Sequence, residues 1–300
     1  MTDQLMLQGS ALEVLQGFDD EFFDCIITSP PYWGLRDYGV DGQLGLEKTF
    51  QEYVEKLVAI FTECKRVLKP SGTCWVNLGD TYGGSGNASG HTETTKNLGY
   101  TTSDMGASHG NQKSTRGMEK CLLQIPSRFA IAMSDAGWIL RNEIIWYKRN
   151  AMPSSAKDRF TVDFEKLFFF TKNKKYWFEQ QREGDNYYKT VAKVGTKRFG
   201  GSTSPGADTI REDRVIETTG RNKRTVWDIP TKPFKGAHFA VFPTTLVEPM
   251  LSAGCPFDGW VCDPFAGSGT AGVVCKEQDK NFIGIELNQE YCDMADKRIG

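Results

Sequence analysis

"VCDPFAGSGTAGVV", residues 261–274, decides the fold. An apolar run ends in an acid, a glycine turn follows, and "TAGVVCKEQ" (270–278) then has helical character. Gly267, Gly269 and Gly272 fit the pattern G-x-G-x-x-G. Glycines let the backbone approach a ligand, and the N-terminus of a helix follows at once. The next strand, "NFIGIEL" (281–287), carries Glu286, 19 residues after Gly267. An acid at that spacing accepts hydrogen bonds from ribose hydroxyls. Together these features point to a nucleoside-containing cofactor. NAD and S-adenosylmethionine both carry an adenosine ribose, so Glu286 does not separate them.

Outward from this turn, strands and helices alternate. "QLMLQ" (4–8) reads as a strand, and "SALEVLQGF" as a helix behind a Ser10 cap. Residues 24–28 form a short, buried, β-branched strand. The spacing predicts an amphipathic helix over 50–72, stopped by Pro70 and Gly72, then a strand over 73–79. A helix is predicted at 122–137, with strands at 138–148 and 164–178, the second folded about the basic turn "KNKK" (172–175). A helix at 244–254, a strand at 260–263 and a last helix at 288–299 behind Asn288 complete the pattern. Such alternation gives an α/β fold, a largely parallel sheet covered by helices. Residues 80–118, rich in Gly, Ser, Thr and Asn, predict a long mobile loop.

Three hundred residues suit one large α/β domain with insertions, or two smaller ones. No apolar stretch reaches the roughly 18 residues of a membrane span, and "MTDQLMLQGS" lacks the pattern of a signal peptide. Eight scattered cysteines with no CxxC pair argue against a zinc site or disulfide framework and for a reducing cytosol. The net charge of −2 hides a split. Residues 141–224 hold 19 Lys/Arg against 11 Asp/Glu, whereas the remainder holds 17 against 27. A basic block inside an acidic chain implies a localised surface for a polyanion.

After the strand 24–28 comes "SPPY": Ser29, Pro30, Pro31 and Tyr32. By itself this reads equally well as a rigid turn with packed aromatics. "DPFAGSGT" (263–270) and Ser29–Tyr32 in one chain resemble the S-adenosylmethionine-dependent DNA amino-methyltransferases. The order of motifs, with the tetrapeptide first, a basic block next and the cofactor loop last, resembles their circularly permuted β group. The resemblance covers most of 4–80, 122–178 and 236–299. It implies a Rossmann-like methyltransferase fold with a mixed seven-stranded sheet, the N-terminal strand 4–8 lying beside 281–287. It implies a catalytic domain of 1–181 and 236–300, with the loop 81–121 mobile, and a target-recognition segment at 182–235.

The resemblance also implies roles. S-adenosylmethionine would be held by Asp263, Phe265, Gly267, Ser268, Gly269, Thr270 and Glu286, with Ser10 standing where the group usually has an adenine-binding Asp. An exocyclic base amine is a poor nucleophile, because its lone pair is delocalised into the ring. In the family, the side chain of the first tetrapeptide residue and the carbonyl of the first proline accept its two N–H bonds. The prolines fix the backbone and the aromatic stacks on a base extruded from the duplex. Trp33 would add a second wall; "HFAVFPTTL" (238–246) resembles the family segment before the cofactor strand, whose helix borders the methionine end, and His238 reads equally as a satisfied surface or core histidine. Lys189, Lys193, Lys197, Arg198, Arg211, Arg214, Arg221, Lys223 and Arg224 would contact double-stranded DNA. Ser at the first position leans toward N4 of cytosine over N6 of adenine. Ring-carbon methylation would need a Pro-Cys nucleophile, and none occurs. A protein glutamine methyltransferase, a nicotinamide oxidoreductase and a catalytically silent DNA-binding protein are the rival readings. A homodimer and a cognate restriction endonuclease stay open as partners.

Overall fold

A computed structural model of the chain describes residues 2–35, 37–84, 115, 117–192, 214–231 and 242–300, with backbone alone at 185–192 and 214–219. Most of the loop 81–121 lies outside the described residues. The chain forms two compact units, Met1–Glu179 with Thr225–Gly300, and Gln180–Arg224.

The large unit contains β1 (Gln4–Gln8), α1 (Ala11–Gln16), β2 (Phe23–Thr28), α2 (Phe50–Val67), β3 (Leu68–Leu78), α3 (Ile125–Asp135), β4 (Ile139–Tyr147) and β5 (Phe164–Thr171). The small unit is a hairpin-like pair, β6 (Arg182–Ala192) antiparallel to β7 (Arg214–Asn222). The large unit resumes with β8 (Val226–Asp228), α4 (Thr244–Gly254), β9 (Trp260–Asp263), α5 (Thr270–Glu277), β10 (Asn281–Glu286) and α6 (Gln289–Ile299).

Its sheet has eight strands in the order β1-β10-β9-β2-β3-β5-β4-β8. The first five are parallel. β5 then runs antiparallel to β3 and β4, and β8 joins β4 in parallel. The expected seven strands become eight because Val226–Asp228, read from sequence as part of the segment 182–235, pairs with residues 145–147. β1 lies beside β10 as expected, with Gln8 opposite Glu286.

Both faces of the sheet are covered, which explains the unbroken apolar runs. Ile26, Cys74, Val76, Phe168 and Phe170 pack against α1, α2 and α3, where Leu15, Leu57, Phe61 and Phe129 are buried. Their neighbours Cys25, Ile27, Trp75, Leu167 and Phe169 pack on the other face with Leu246, Met250, Val274 and Ala295.

Two element boundaries move. The helix predicted over 50–72 ends at Val67, and Leu68 already has extended φ and ψ (−78°, 133°). Pro70 disfavours helical geometry at the residue before it, so the helix stops early and β3 starts at once. The stretch 164–178 is strand only to Thr171. Tyr176 and Phe178 instead pack their rings against Phe169, at centroid distances of 5.7 Å each. All eight cysteines are free thiols, seven of them buried. No described helix is long and apolar enough to cross a membrane.

Candidate active site

Parallel strands deliver their C-terminal ends to one edge of a sheet, where ligands of open α/β sheets bind. Here that edge collects Gly9 and Ser10 after β1, Glu286 at the end of β10, Asp263 at the end of β9 and Ser29 after β2. β9 and β2 are direct neighbours, with Ile26 opposite Cys262. The glycine turn and the diproline turn therefore start side by side. Thr28 Oγ1 donates to Asp263 Oδ1 at 2.6 Å, across 235 residues of sequence.

Asp263 is buried (1% exposed). Its Oδ1 also accepts the Phe265 N–H at 3.1 Å, and its Oδ2 is buried without a partner among the described residues. Burial pushes its carboxyl up to about 7, against the hydrogen bonds from Thr28 and Phe265 that favour the charge. Glu286 is held open by backbone donors: Gly267 N–H to Oε2 and Asn288 N–H to Oε1, both at 2.9 Å. Burial raises its carboxyl too, and these donors temper the rise. Gly9 N–H donates to the Glu286 carbonyl at 2.9 Å, which seats Ser10 next to that acid. Ser10 precedes α1 without a side-chain capping hydrogen bond.

The three glycines have different jobs. Gly267 and Gly269 take positive φ of 51° and 74°, a conformation glycine adopts freely. A Cβ on Gly269 would sit 2.8 Å from that of Ala295, and one on Gly272 only 2.4 Å from Ile299 Cδ1. The missing side chains of Gly269 and Gly272 thus leave room for helix α6. Arg298 of the same helix donates to the Ser268 carbonyl at 2.5 Å and to Ser268 Oγ at 2.6 Å, and lies 3.4 Å from Thr270 Oγ1. The Ser268 and Thr270 side chains, expected at the cofactor, are buried and turned to this brace.

In the diproline turn, the Pro31 carbonyl accepts the Tyr53 hydroxyl at 2.7 Å. No described residue donates to the Pro30 carbonyl. Ser29 Oγ lies 3.4 Å from both the Tyr32 hydroxyl and Asn77 Oδ1. The Tyr32 hydroxyl donates to Glu165 Oε2 at 2.7 Å and is 3.1 Å from Asn77 Oδ1. Glu165 Oε1 is paired with Lys148. Burial, and then the Glu165 carboxylate, raise the Tyr32 phenol well above its usual range, so it is neutral. Gly79 flanks the ring so closely that a Cβ there would meet Tyr32 Cε2 at 2.4 Å. Trp33 is not a second wall. It is buried (2% exposed), donates Nε1–H to the Glu47 carbonyl at 3.1 Å and packs edge-on against Phe50.

The segment between β4 and β5 rises at the same edge, since Tyr147 pairs with Phe164 and Lys166 with Leu78. It presents Met152 and Phe160 almost fully to solvent (87% and 95% exposed). In the small unit, Arg221 and Arg224 both pair with Glu183, at 3.0 and 2.7 Å. Lys223 is anchored by its backbone N–H to the Gln181 carbonyl. Lys189 and Arg214 lie on β6 and β7, where only backbone is described. Lys193, Lys197, Arg198, Arg211 and His238 lie outside the described residues. Among the described residues no cluster of three or more His, Cys, Asp or Glu could hold a metal ion.

Sequence reasoning missed Asn77, Gly79, Lys148 and Glu165. A signal existed for two of them. Asn77 is the one polar residue in the buried run "CWVNL", and Glu165 is an acid at the head of "FEKLFFF".

An open sheet with a glycine turn and a diproline turn meeting at one edge defines a nucleoside-cofactor transferase site. Residues 23–297 match the N6/N4 DNA methylase family, and the chain belongs to it. It is 42% identical to the Type II methyltransferase M.Cfr9I of Citrobacter freundii, over 98% of this chain and 87% of that one. It is 40% identical to the Type II methyltransferase M.SmaI of Serratia marcescens, over 98% and 90%. Among solved structures it resembles the PvuII DNA methyltransferase (cytosine-N4-specific), with a TM-score of 0.65 and 19% identity, over 99% of this chain and 86% of that one. The M1.HpyAVI–SAM complex aligns with a TM-score of 0.56 and 19% identity, over 99% of both chains.

Proposed function

We propose that this DNA methylase moves the methyl group of S-adenosylmethionine to the exocyclic N4 of a cytosine extruded from duplex DNA. The observation that carries the reading is the 2.6 Å hydrogen bond from Thr28 to Asp263, which joins the two turns. The site fits the cofactor: Asp263 keeps an unpartnered buried carboxylate oxygen for a donor-rich, cationic ligand, and Glu286 stands beside Gly267 for ribose hydroxyls. When bound, the cofactor supplies a methyl on a sulfonium, already a good leaving group.

The chain's own residues then aim the amine. Ser29 Oγ and the Pro30 carbonyl accept its two N–H bonds, which localises the nitrogen lone pair. The Tyr32 ring, held by Gly79 on one side, stacks on the base. Ser10 accepts from the adenine amine. Ser29 favours cytosine N4. The segment 182–235 reads the target, and the exposed loop with Phe160 meets the duplex. Arg221 and Arg224 share one carboxylate, so together they offer DNA one net positive charge. The Type II relatives support a restriction–modification setting with a cognate endonuclease, and sedimentation tests a homodimer.

The experiment is expression in a methylation-free host, then digestion of its DNA and mass spectrometry. N4-methylcytosine is expected. N6-methyladenine alone would move the reading to adenine, and unmodified DNA would remove it.

A further inference from the structure

The methylated amine must lose a proton, and the two hydroxyls of the diproline turn, on Ser29 and Tyr32, are both half-buried. Asn77 touches both hydroxyls of the diproline turn, yet an amide cannot take a proton at neutral pH. Its Nδ2 donates to the Lys166 carbonyl at 3.2 Å, which fixes Oδ1 toward Ser29 and Tyr32. A line of exchangeable protons runs on past it, from Ser29 Oγ to the Tyr32 oxygen (3.4 Å) and to Glu165 Oε2 (2.7 Å). The line ends at a carboxylate that the β4–β5 pairing holds in place. Trp146 stands opposite Glu165, and Lys148, next along, pairs with Glu165 while its Nζ lies 4.3 Å from the Trp146 ring centroid. Both partners are 18% exposed, so water reaches the far end of the line.

From this geometry we infer that Glu165 is the terminal proton acceptor of methyl transfer, working through Tyr32 and Ser29. The inference rests on the proposed role of Ser29. As the N–C bond forms and the S–C bond breaks, the nitrogen becomes positive and one N–H bond breaks. Its proton goes to Ser29 Oγ, the Ser29 proton goes to the Tyr32 oxygen, and the Tyr32 proton goes to Glu165. Ser29 and Tyr32 end as they began, Glu165 ends as a neutral acid, and water then takes the proton. The 3.4 Å step shortens when a base fills the site, as catalytic hydrogen bonds commonly do. Tyr32 is thereby more than a stacking platform, and Lys148 is a positioning residue that holds Glu165 in reach.

The test is single-turnover transfer of labelled methyl from S-adenosylmethionine to unmethylated genomic DNA. Tyr32→Phe keeps the ring and removes the relay, while Glu165→Gln keeps an acceptor for the phenol and removes the base. Each should slow the step about tenfold or more, with the KM for DNA and for cofactor within about twofold of wild type. The double variant should be no slower than the slower single one, because both cut one line. In D2O the wild type should slow more than Tyr32→Phe. Should Glu165→Gln restore what Glu165→Ala loses, Glu165 only positions Tyr32 and the relay is wrong. Wild-type rates in Tyr32→Phe would also overturn it. If Glu165→Gln does not fold, Tyr32→Phe decides alone, since it leaves the Lys148–Glu165 pair intact. Ser29→Ala separates the two levels. A dead Ser29→Ala beside a fully active Tyr32→Phe sinks the relay and keeps the site, whereas a fully active Ser29→Ala sinks the site itself.

Discussion

Replacing Asp263 by asparagine isolates the charge of one buried carboxyl. Burial raises that group from 3.8 to about 7. In the unfolded chain it ionises near its ordinary value, so between about 4 and 7 the folded protein holds a proton that the unfolded chain has released. The stability this proton confers is fully present below the unfolded value and is lost as pH rises through about 7. Each pH unit of separation corresponds to about 1.4 kcal/mol. A separation of about three units is therefore on the order of 4 kcal/mol. Asparagine keeps the oxygen that accepts from Thr28 and Phe265 and carries no charge. Urea unfolding of the cofactor-free protein at several pH values reads the difference between Asp263→Asn and wild type. That difference should be small near pH 4.5 and should grow in favour of the variant toward pH 8. A difference that stays level across this range refutes the burial argument, because every other titrating group cancels in the comparison.

Thr28→Val keeps the shape and removes the 2.6 Å donor to that carboxylate. About 1.5–3 kcal/mol of stability should go at pH 8, less at pH 5, as urea midpoints will show. Gly269→Ala adds a methyl 2.8 Å from Ala295 at a φ of 74°. About 1–3 kcal/mol should be lost, read as a lower melting temperature and weaker cofactor binding together. Gly79→Ala drives a methyl into the Tyr32 ring; methyl transfer should fall at least about tenfold in a stopped-flow or label assay, with about 1–3 kcal/mol of stability lost to overpacking. Binding of the cationic cofactor beside Asp263 should release a proton below about pH 7, so calorimetry in two buffers of different ionisation enthalpy should give different heats.

What could be read from sequence was what repeats locally. "CIIT" and "LFFF" announce strands buried on both faces, and Asn288 caps α6 through Glu290 N–H at 2.9 Å as its residue type suggests. The two turns were legible because each carries its chemistry within a few residues. Glu165 was not, because its meaning depends on a contact 133 residues away, made only when β5 inserts antiparallel beside β3. Trp33 misled for the same reason. An aromatic beside a reactive serine invites a stacking role, and only the packing of Phe50 and the Glu47 carbonyl reveals an anchor. The room that Gly269 and Gly272 leave for a helix seventeen or more residues further along was not legible either, because no local pattern announces that contact.

The place of β2 in the sheet sets a timetable for synthesis. β2 lies between β3 and β9, so one side of the strand that leads into Ser29 finds its partner only when residues 260–263 have been made. Until then a growing chain carries an unsatisfied edge of Cys25, Ile26 and Ile27, open to any other extended segment. Such late, long-range closure is slow. The diproline turn can therefore take its final place only after residues 260–263 have been made.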